Sequence, residues 1–356
     1  MRSGGRTTGS NGGAKSNIKV GILGAGNVVK ELHLPVLRNM PDVEVSWLCD
    51  QVERQARNLQ KTLSPTSQVF TRIENCPDVD IVLVAIPVGF RRQPLRHIFA
   101  RGWNVLCEKP FAISLAEHDS IVKEAAESGV HIGVGLVRRY YGASQLARRL
   151  IKSGFLGEVI EVWASQGARL TRTDRKDWYQ GDSAAAGGGI LMETGSHLVD
   201  QVFDVLDVSD FTLRDCKQRM VDGLDLETTA SASLTTSIQT QIGFNLALSN
   251  LRDLYNGIAF RFSKGMLKLG VSTDKPTLCT PNGEVLAHLE TDGGAERIYQ
   301  AFYLEWRDFI RQCLGSDSYK AAISADGTRC STAFIDQCYQ INRSADQPVL
   351  IEAEVL

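Results

Sequence analysis

The stretch GILGAGNVVKELHLPVL, residues 21 to 37, joins a short apolar run to an amphipathic one through a glycine-rich turn. Gly24, Gly26 and Val29 occupy the three positions of a G-x-G-x-x-G/A turn, in which Val29 replaces the usual third small residue. The first glycine permits the tight turn. The second lets a phosphate approach the amides at the helix N-terminus, where the helix dipole favours negative charge. The stretch therefore predicts a dinucleotide-binding turn between a strand and a helix.

A carboxylate follows the second predicted strand, VEVSWLC, at Asp50. A carboxylate in this place accepts both ribose hydroxyls of an adenosine and repels a 2′-phosphate, so Asp50 favours NAD over NADP. Arg54 is the counter-argument and keeps NADP open, while a turn or a helix cap is the alternative interpretation of Asp50. The predicted cofactor contacts in the turn itself include Asn27 and Val28.

Length and charge bound the class of protein. The 356 residues exceed the ~250–300 at which single cores stop growing, so two domains are expected. With 39 basic against 41 acidic residues, no strong field would recruit nucleic acid or an anionic membrane, and a small-molecule partner is expected. The eight cysteines are scattered without a C-x-x-C pair, which predicts reduced thiols in a cytoplasmic protein. No apolar run reaches the ~18–20 residues of a membrane helix.

The order of apolar runs predicts an α/β fold. After a flexible tail at 1–16, residues 17–137 alternate strand and helix, which indicates a parallel sheet. The predicted strands of this first domain are IKVGIL, VEVSWLC, DIVLVAI, NVLCE and HIGVGL. Ser114 and Glu117 form a capping box that opens a helix, and Gly129 ends it.

Residues 138–356 are predicted to form a second domain that binds the substrate and makes subunit contacts. Strand-like alternation dominates residues 158–289 and predicts a large, mostly antiparallel open sheet. In IQTQIGFNLAL one face is expected to carry Ile238, Thr240, Ile242, Phe244 and Leu246. A bare face of such a sheet would be apolar, so a homodimer or homotetramer is expected. Two helices are predicted to close the chain. The C-terminal helix can return to the first domain.

The stretch GGGILMETGSHLVD, residues 187–200, carries acid–base groups. On a helix that begins near Leu191, Glu193 and His197 lie one turn apart on one face. An imidazole titrates near neutrality, so His197 can take a proton from an alcohol, while Glu193 can orient it or bind a second hydroxyl. Asp200 is either a supporting partner or a substrate contact. The three glycines are expected to let chain and cofactor approach closely. A metal site on this helix lacks further ligands.

The stretch VLCEKPFA, Val105 to Ala112, together with the glycine turn and the GGGILMETGSHLVD stretch, resembles the glucose-fructose oxidoreductase/inositol dehydrogenase/MocA-like (Gfo/Idh/MocA) family. The resemblance covers roughly Ile18 to Arg343 and implies a Rossmann dinucleotide-binding domain followed by an α/β domain. By position, Lys109 is similar to the family lysine that contacts the substrate hydroxyl and the nicotinamide ribose. Glu193 and His197 match the family's catalytic acid and histidine, although the family usually has aspartate at the first place.

The resemblance also implies further site residues. Pro87, Glu108 and Lys109 are expected to contact the cofactor, while Arg139 and Trp178 join Glu193 and His197 at the substrate. If Arg138 and Arg139 point inward, the substrate carries a carboxylate or phosphate. Two departures affect the pocket, Arg91 where histidine is frequent and Val137 where asparagine is common. The other histidines are interpreted as structural; they are His33, His97, His118, His131 and His288.

The resulting hypothesis is an NAD(P)-dependent oxidoreductase that transfers a hydride to or from a secondary alcohol or ketone of a sugar, sugar derivative or cyclitol. One alternative is a redox-neutral lyase, epimerase or glycosidase that oxidises its substrate transiently. Another is a non-catalytic sensor that binds NAD and a sugar. Nucleic acid, membrane and metal are not expected partners.

Overall fold

The fold is built on two sheets that follow one another along the chain. The computed structural model describes residues 17–169, 181–271, 275–291, 297–315 and 319–344. The predicted tail at residues 1–16 lies outside these ranges.

The first sheet is parallel and has the strand order β3-β2-β1-β4-β5-β6. Its strands are β1 (Ile18–Leu23), β2 (Val43–Cys49), β3 (Gln68–Phe70), β4 (Ile81–Val84), β5 (Asn104–Glu108) and β6 (Ile132–Gly135). The order reverses between β1 and β4, and a crevice opens there at the carboxyl ends of parallel strands. The sequence predicted five of these strands and missed β3, which is three residues long.

Helices flank this first sheet. They are a π-helical turn (Val29–His33) that continues into α1 (Leu34–Leu37), then α2 (Glu53–Leu63), α3 (Arg92–Ala100) and α4 (Leu115–Glu127). The predicted cap of α4 is present, because Ser114 Oγ accepts a hydrogen bond from the Glu117 amide at 3.2 Å. The Glu117 carboxylate in turn accepts from the Ile113 amide at 2.8 Å.

The second sheet has eight strands in the order β14-β13-β12-β11-β7-β10-β9-β8. They are β7 (Val159–Gly167), β8 (Val208–Val221), β9 (Leu224–Thr236), β10 (Gln241–Ser249), β11 (Gly257–Phe262), β12 (Met266–Gly270), β13 (Thr277–Cys279) and β14 (Val285–His288). All neighbours pair antiparallel except β7 and β10. The expected mostly antiparallel sheet is confirmed.

The helices of the second half of the chain pack mostly against one face of this sheet. They are α5 (Gly142–Ser153), α6 (Ser183–Ala186), a π-helical turn (Leu191–Gly195) that runs into α7 (Ser196–Leu206), α8 (Ile298–Leu314) and α9 (Arg329–Ser344). The helix α8 is different, because Phe302, Trp306 and Phe309 enter the core of the first sheet. In α9, Phe334 packs with Phe203 and Phe244 in the second core.

Two expectations about the second sheet are wrong. Ile238 is 82% exposed because it precedes β10 in a turn, and the buried alternation begins at Ile242. The face turned away from the helices is not apolar. It is partly exposed and carries one large aromatic side chain, Trp163, among mostly small and polar ones, which include Glu161, Ser165, Thr229, Ser231, Ser233, Asn245 and Ala247. Among the helices that the structure describes, none is long and apolar enough to cross a membrane.

Candidate active site

The glycine turn leaves β1 at the point where the strand order reverses. Gly24 has φ of +104°, and a Cβ there would lie 2.4 Å from the carbonyl oxygen of Ala85, so only glycine fits. At Gly26 a Cβ would meet no heavy atom within 4 Å. The space beside Gly26 and the helix N-terminus behind it fit the pyrophosphate of a dinucleotide.

Asp50 stands after β2 and braces this turn. Its Oδ2 accepts a hydrogen bond from the Ala25 amide at 2.8 Å, and its Oδ1 accepts from the Val52 amide at 2.8 Å. Each carboxylate oxygen can accept a second hydrogen bond, so both remain able to receive ribose hydroxyls. The structure thus gives Asp50 the turn role that was the alternative interpretation, and the ribose contact stays a prediction.

Lys109 lies at a corner after β5, where the Lys109–Pro110 peptide is cis. Arg91 hydrogen-bonds through its side chain to the backbone of this corner. Its side chain is almost fully buried, its Nε donates to the Ile86 carbonyl at 2.7 Å, and its Nη1 donates to the carbonyls of Glu108 and Pro110. From the sequence, Arg91 is notable only as a departure from the family pattern that affects the pocket. In the structure it positions the backbone that carries Lys109.

His33 belongs to a buried chain of hydrogen bonds that reaches Lys109, which agrees with its interpretation as a structural histidine. Trp306 Nε1 donates to His33 Nδ1 at 3.0 Å. Because an indole can only donate, the proton of neutral His33 is on Nε2, which donates to Glu108 Oε1 at 2.8 Å. Glu108 Oε2 accepts from the Lys109 amide at 3.1 Å. The sequence could not show this chain, because its members come from distant segments.

Burial and charge set the pKa values in this chain. Burial alone would raise the pKa of Glu108, but the His33 hydrogen bond and nearby cations leave it below its ordinary value. Glu305 on α8 is fully buried, and within the described ranges neither of its carboxyl oxygens has a hydrogen-bond partner. Burial, aided by the charge of Glu108, raises the pKa of Glu305 well above its ordinary value. The predicted contact of Glu108 with the cofactor stays a prediction.

The helix that carries His197 is anchored by Asp225, which the sequence analysis missed. Asp225 accepts from the amides of Gly189 (2.7 Å) and Leu191 (2.8 Å) and from Tyr339 (2.5 Å). A Cβ on Gly189 would lie 2.0 Å from the Asp225 carbonyl oxygen. The third glycine therefore permits close packing against β9, which differs from the expected approach to the cofactor.

Lys109 and His197 come together from opposite sides of the crevice. Lys109 Nζ lies 3.4 Å from the backbone carbonyl oxygen of Glu193, one turn before His197. Burial holds the pKa of His197 well below its ordinary value, and the charges of Lys109 and Arg138 lower it further. In the described part of the chain, His197 Nδ1 is buried without a hydrogen-bond partner. The charges that act on the His197 pKa are those of Lys109 and Arg138, and the orienting role of Glu193 stays a prediction.

Arg139 does not face the substrate side, which corrects its predicted role. Its side chain is buried and binds Asp200 on α7 through Nε at 2.9 Å and Nη2 at 2.5 Å. The remaining donors reach the carbonyls of Ala322 (2.5 Å) and Gly327 (3.0 Å). With its donors committed, Arg139 fixes α7, and Asp200 is its supporting partner.

Two further predicted site residues are Pro87, which the structure describes, and Trp178, which it does not. Pro87 directly follows the β4 region and precedes a short helical turn (Val88–Phe90), which places it at the carboxyl edge of the first sheet. Trp178 lies outside the described residues.

A parallel nucleotide-binding sheet, a glycine turn at its switch point and an amine–imidazole pair define an NAD-binding oxidoreductase. Residues 18–136 match the family model described as "Oxidoreductase family, NAD-binding Rossmann fold". Residues 144–267 match the model of the GFO/IDH/MocA C-terminal domain. The chain belongs to the Gfo/Idh/MocA family, and its first domain is an NAD-binding Rossmann domain.

The chain is similar to named sugar and cyclitol enzymes. It is 29% identical over 206 residues to glucose-6-phosphate 3-dehydrogenase of Bacillus subtilis, covering 57% of each chain. It is 28% identical over 188 residues to scyllo-inositol 2-dehydrogenase (NADP(+)) of the same organism, covering 52% of this chain and 50% of the relative. These matches thus span only about half the length of the relatives.

Its fold is similar to that of the WlbA dehydrogenase of Bordetella pertussis, whose structure contains NADH and UDP-GlcNAcA. The TM-score is 0.77, with 19% sequence identity over 95% of this chain and 99% of that one. At this identity the likeness concerns the fold.

Proposed function

We propose that the protein is an NAD(P)-dependent oxidoreductase that transfers a hydride between nicotinamide and a secondary alcohol or ketone of a sugar, sugar derivative or cyclitol. One observation carries the proposal. Lys109, at the end of a Rossmann strand, reaches within 3.4 Å of the Glu193 carbonyl on the helix that bears the buried His197. An amine and an imidazole from different domains thereby share one crevice, where an alcohol can lie between them.

Each side chain has a distinct part in this proposal. A neutral His197 takes the hydroxyl proton as the alcohol is oxidised and returns it in reduction. The ammonium of Lys109 stabilises the developing alkoxide where water is excluded. Glu193 binds a second hydroxyl. When bound, the nicotinamide cofactor supplies the hydride acceptor or donor.

The turn and the relatives support the cofactor and the substrate class of this proposal. The free volume beside Gly26 and the carboxylate of Asp50 support NAD, and the relatives include an NADP-dependent enzyme, so both cofactors belong in the assay. The named activities of the two Bacillus subtilis relatives, on a sugar phosphate and on an inositol, support the substrate class.

The test measures nicotinamide absorbance with a panel of sugars and cyclitols for the wild type and for His197→Ala. Loss of a general base should lower kcat by about 10²–10⁴. Lys109→Met should lower kcat comparably, whereas His288→Ala, on the surface strand β14, serves as the matched histidine control. Wild-type kcat in His197→Ala would falsify the assignment of the base. Product formation without a net absorbance change would instead indicate a redox-neutral reaction.

A further inference from the structure

Three arginines with buried guanidinium nitrogens lie near the crevice, and they differ in how their charge is satisfied; Arg91 and Arg139 are buried, whereas Arg138 is partly exposed. Arg139 binds Asp200 and two carbonyls, and Arg91 donates to three carbonyls. Arg138 donates from Nη2 to the neutral amide oxygen of Gln166 at 3.3 Å. In the region that the structure describes, Arg138 Nη1 is buried and has no hydrogen-bond partner.

An arginine in this state needs an explanation. A guanidinium stays protonated in proteins, and a buried charge without a counter-ion is strongly unfavourable. No carboxylate of the described residues forms an ion pair with Arg138, and burial lowers the pKa of its guanidinium below the ordinary value. Within the described ranges, this cation therefore has no anionic partner.

The position of Arg138 connects it to the reacting groups. It precedes Arg139, whose ion pair with Asp200 ties this turn to α7, one turn from His197. Arg138 and Lys109 are the two cations whose charge acts on His197. The second unpartnered buried atom of the crevice is His197 Nδ1. Two cations thus lie close enough to His197 for their charges to lower its pKa.

We propose that Arg138 binds a carboxylate or phosphate of the substrate, so that the protein acts on a sugar acid or sugar phosphate. This inference rests on the proposed function for the location of the substrate. The planar guanidinium presents paired N–H donors that match the two oxygens of an oxyanion. A neutral sugar would leave Arg138 Nη1 unsatisfied, and the site therefore disfavours it.

The experiment measures binding to the NAD-loaded protein by calorimetry, independently of turnover. The probes are D-glucuronate, D-galacturonate and D-glucose 6-phosphate, each against its neutral hexose. The dissociation constant of at least one oxyanion should be about 10- to 100-fold lower than that of its neutral counterpart, the range expected for a hydrogen bond to a charged group. Uronates and phosphates in separate arms identify which oxyanion fits.

Variants then assign the preference to Arg138. Arg138→Gln should abolish the difference between the charged and neutral probes while NAD affinity stays at the wild-type value. Arg138→Lys should restore part of it, and more for phosphate than for carboxylate, because lysine offers a point charge without a planar fork. Arg307→Gln removes a half-exposed arginine paired with Asp42 on the far side of α8 and is the matched control. Thermal unfolding checks that each variant is folded.

The outcomes separate this inference from the proposed function. The role of Arg138 is overturned if the wild type binds charged and neutral probes equally. It is also overturned if the preference for the charged probe survives in Arg138→Gln, or if no oxyanion binds. The proposed function fails by a different readout, when a sugar binds but neither product nor a change in nicotinamide absorbance appears.

Discussion

At the scale of the residue, burial and neighbouring charge together set the protonation state of His197. An imidazole with an ordinary pKa would be partly protonated near neutrality. Here burial and two neighbouring cations favour the neutral form, which can accept a proton from an alcohol. A carboxylate that oriented the ring would instead raise the pKa of the imidazole. The sequence suggested Glu193 for that part, and in the structure the backbone carbonyl oxygen of Glu193 lies 3.4 Å from Lys109 Nζ.

The pH dependence of the oxidation tests this state of His197. A general base must be unprotonated, so activity is complete above its pKa and is lost as pH falls through it. Because the pKa of His197 lies well below 6.5, the acid limb of kcat/KM should lie below pH 6.5. In Arg138→Gln the limb should move upward, since removal of a nearby positive charge favours the imidazolium. A wild-type limb at or above pH 6.5, or no shift relative to Arg307→Gln, contradicts this account.

At the scale of elements, two glycine-rich segments serve different purposes. In the turn after β1, Gly24 is required by the positive φ of the backbone, whereas no protein atom lies within 4 Å of the Cβ position of Gly26. Before α7 the glycines let the helix start against β9, where Asp225 accepts the amide protons of Gly189 and Leu191. The letters G-x-G and G-G-G look alike in sequence, yet only the first surrounds an open volume at a helix N-terminus.

Alanine at Gly24 and at Gly26 should separate folding from cofactor binding. Gly24→Ala places a Cβ 2.4 Å from a carbonyl oxygen at positive φ and should destabilise the protein by about 1–3 kcal/mol or more. Gly26→Ala meets no protein atom, so its stability should stay within about 0.5 kcal/mol of the wild type. Its KM for NAD should nevertheless rise by about tenfold or more, because the methyl group occupies the phosphate space. Denaturant unfolding and cofactor titration measure the two effects. Unchanged NAD affinity in Gly26→Ala would place the pyrophosphate elsewhere.

At the scale of the whole molecule, Arg139 links the two halves. It lies in the short helical turn Val137–Tyr140 that follows β6, and its ion pair with Asp200 holds α7. We propose the domain boundary at residues 137 and 138, within this turn. The carbonyls of Ala322 and Gly327, from the chain between α8 and α9, complete the junction. The relative position of Lys109 and His197 depends on this junction.

A double-mutant cycle on Arg139 and Asp200 tests the structural role. Removal of either partner leaves a buried charge, so Arg139→Met or Asp200→Leu alone should cost about 3–5 kcal/mol of the free energy of unfolding. The double variant should lose less than the sum of the two single losses, because neither charge remains. Urea unfolding of all four proteins gives the coupling energy. Near-wild-type stability with a raised substrate KM in Arg139→Met would restore the original interpretation of Arg139 as a substrate ligand.

Sequence reasoning predicted the parts of this molecule that depend on local pattern. Strands of the first sheet, the capped helix α4 and the dinucleotide turn all follow from short-range signals such as Ser114 and Gly24. It missed groups that meet only in the folded chain, such as His33 with Trp306, or Asp225 with the start of α7. It also misassigned Arg139, since two adjacent arginines look equivalent in sequence and only the position of Asp200 distinguishes them.

The open face of the second sheet leads to a prediction about assembly. That face is polar, so the apolar argument for association does not apply, but its small side chains permit close approach. Residues such as Ala247 and Ser231 leave a flat surface on which two sheets can pack at about 10 Å, with Trp163 as an aromatic contact. We expect a dimer or tetramer by light scattering at micromolar concentration. Ala247→Arg should dissociate it by placing a charge on this face, whereas Lys123→Glu on the exposed side of α4 should not. A wild-type monomer, or an Ala247→Arg protein of unchanged mass, would show that this face does not join subunits.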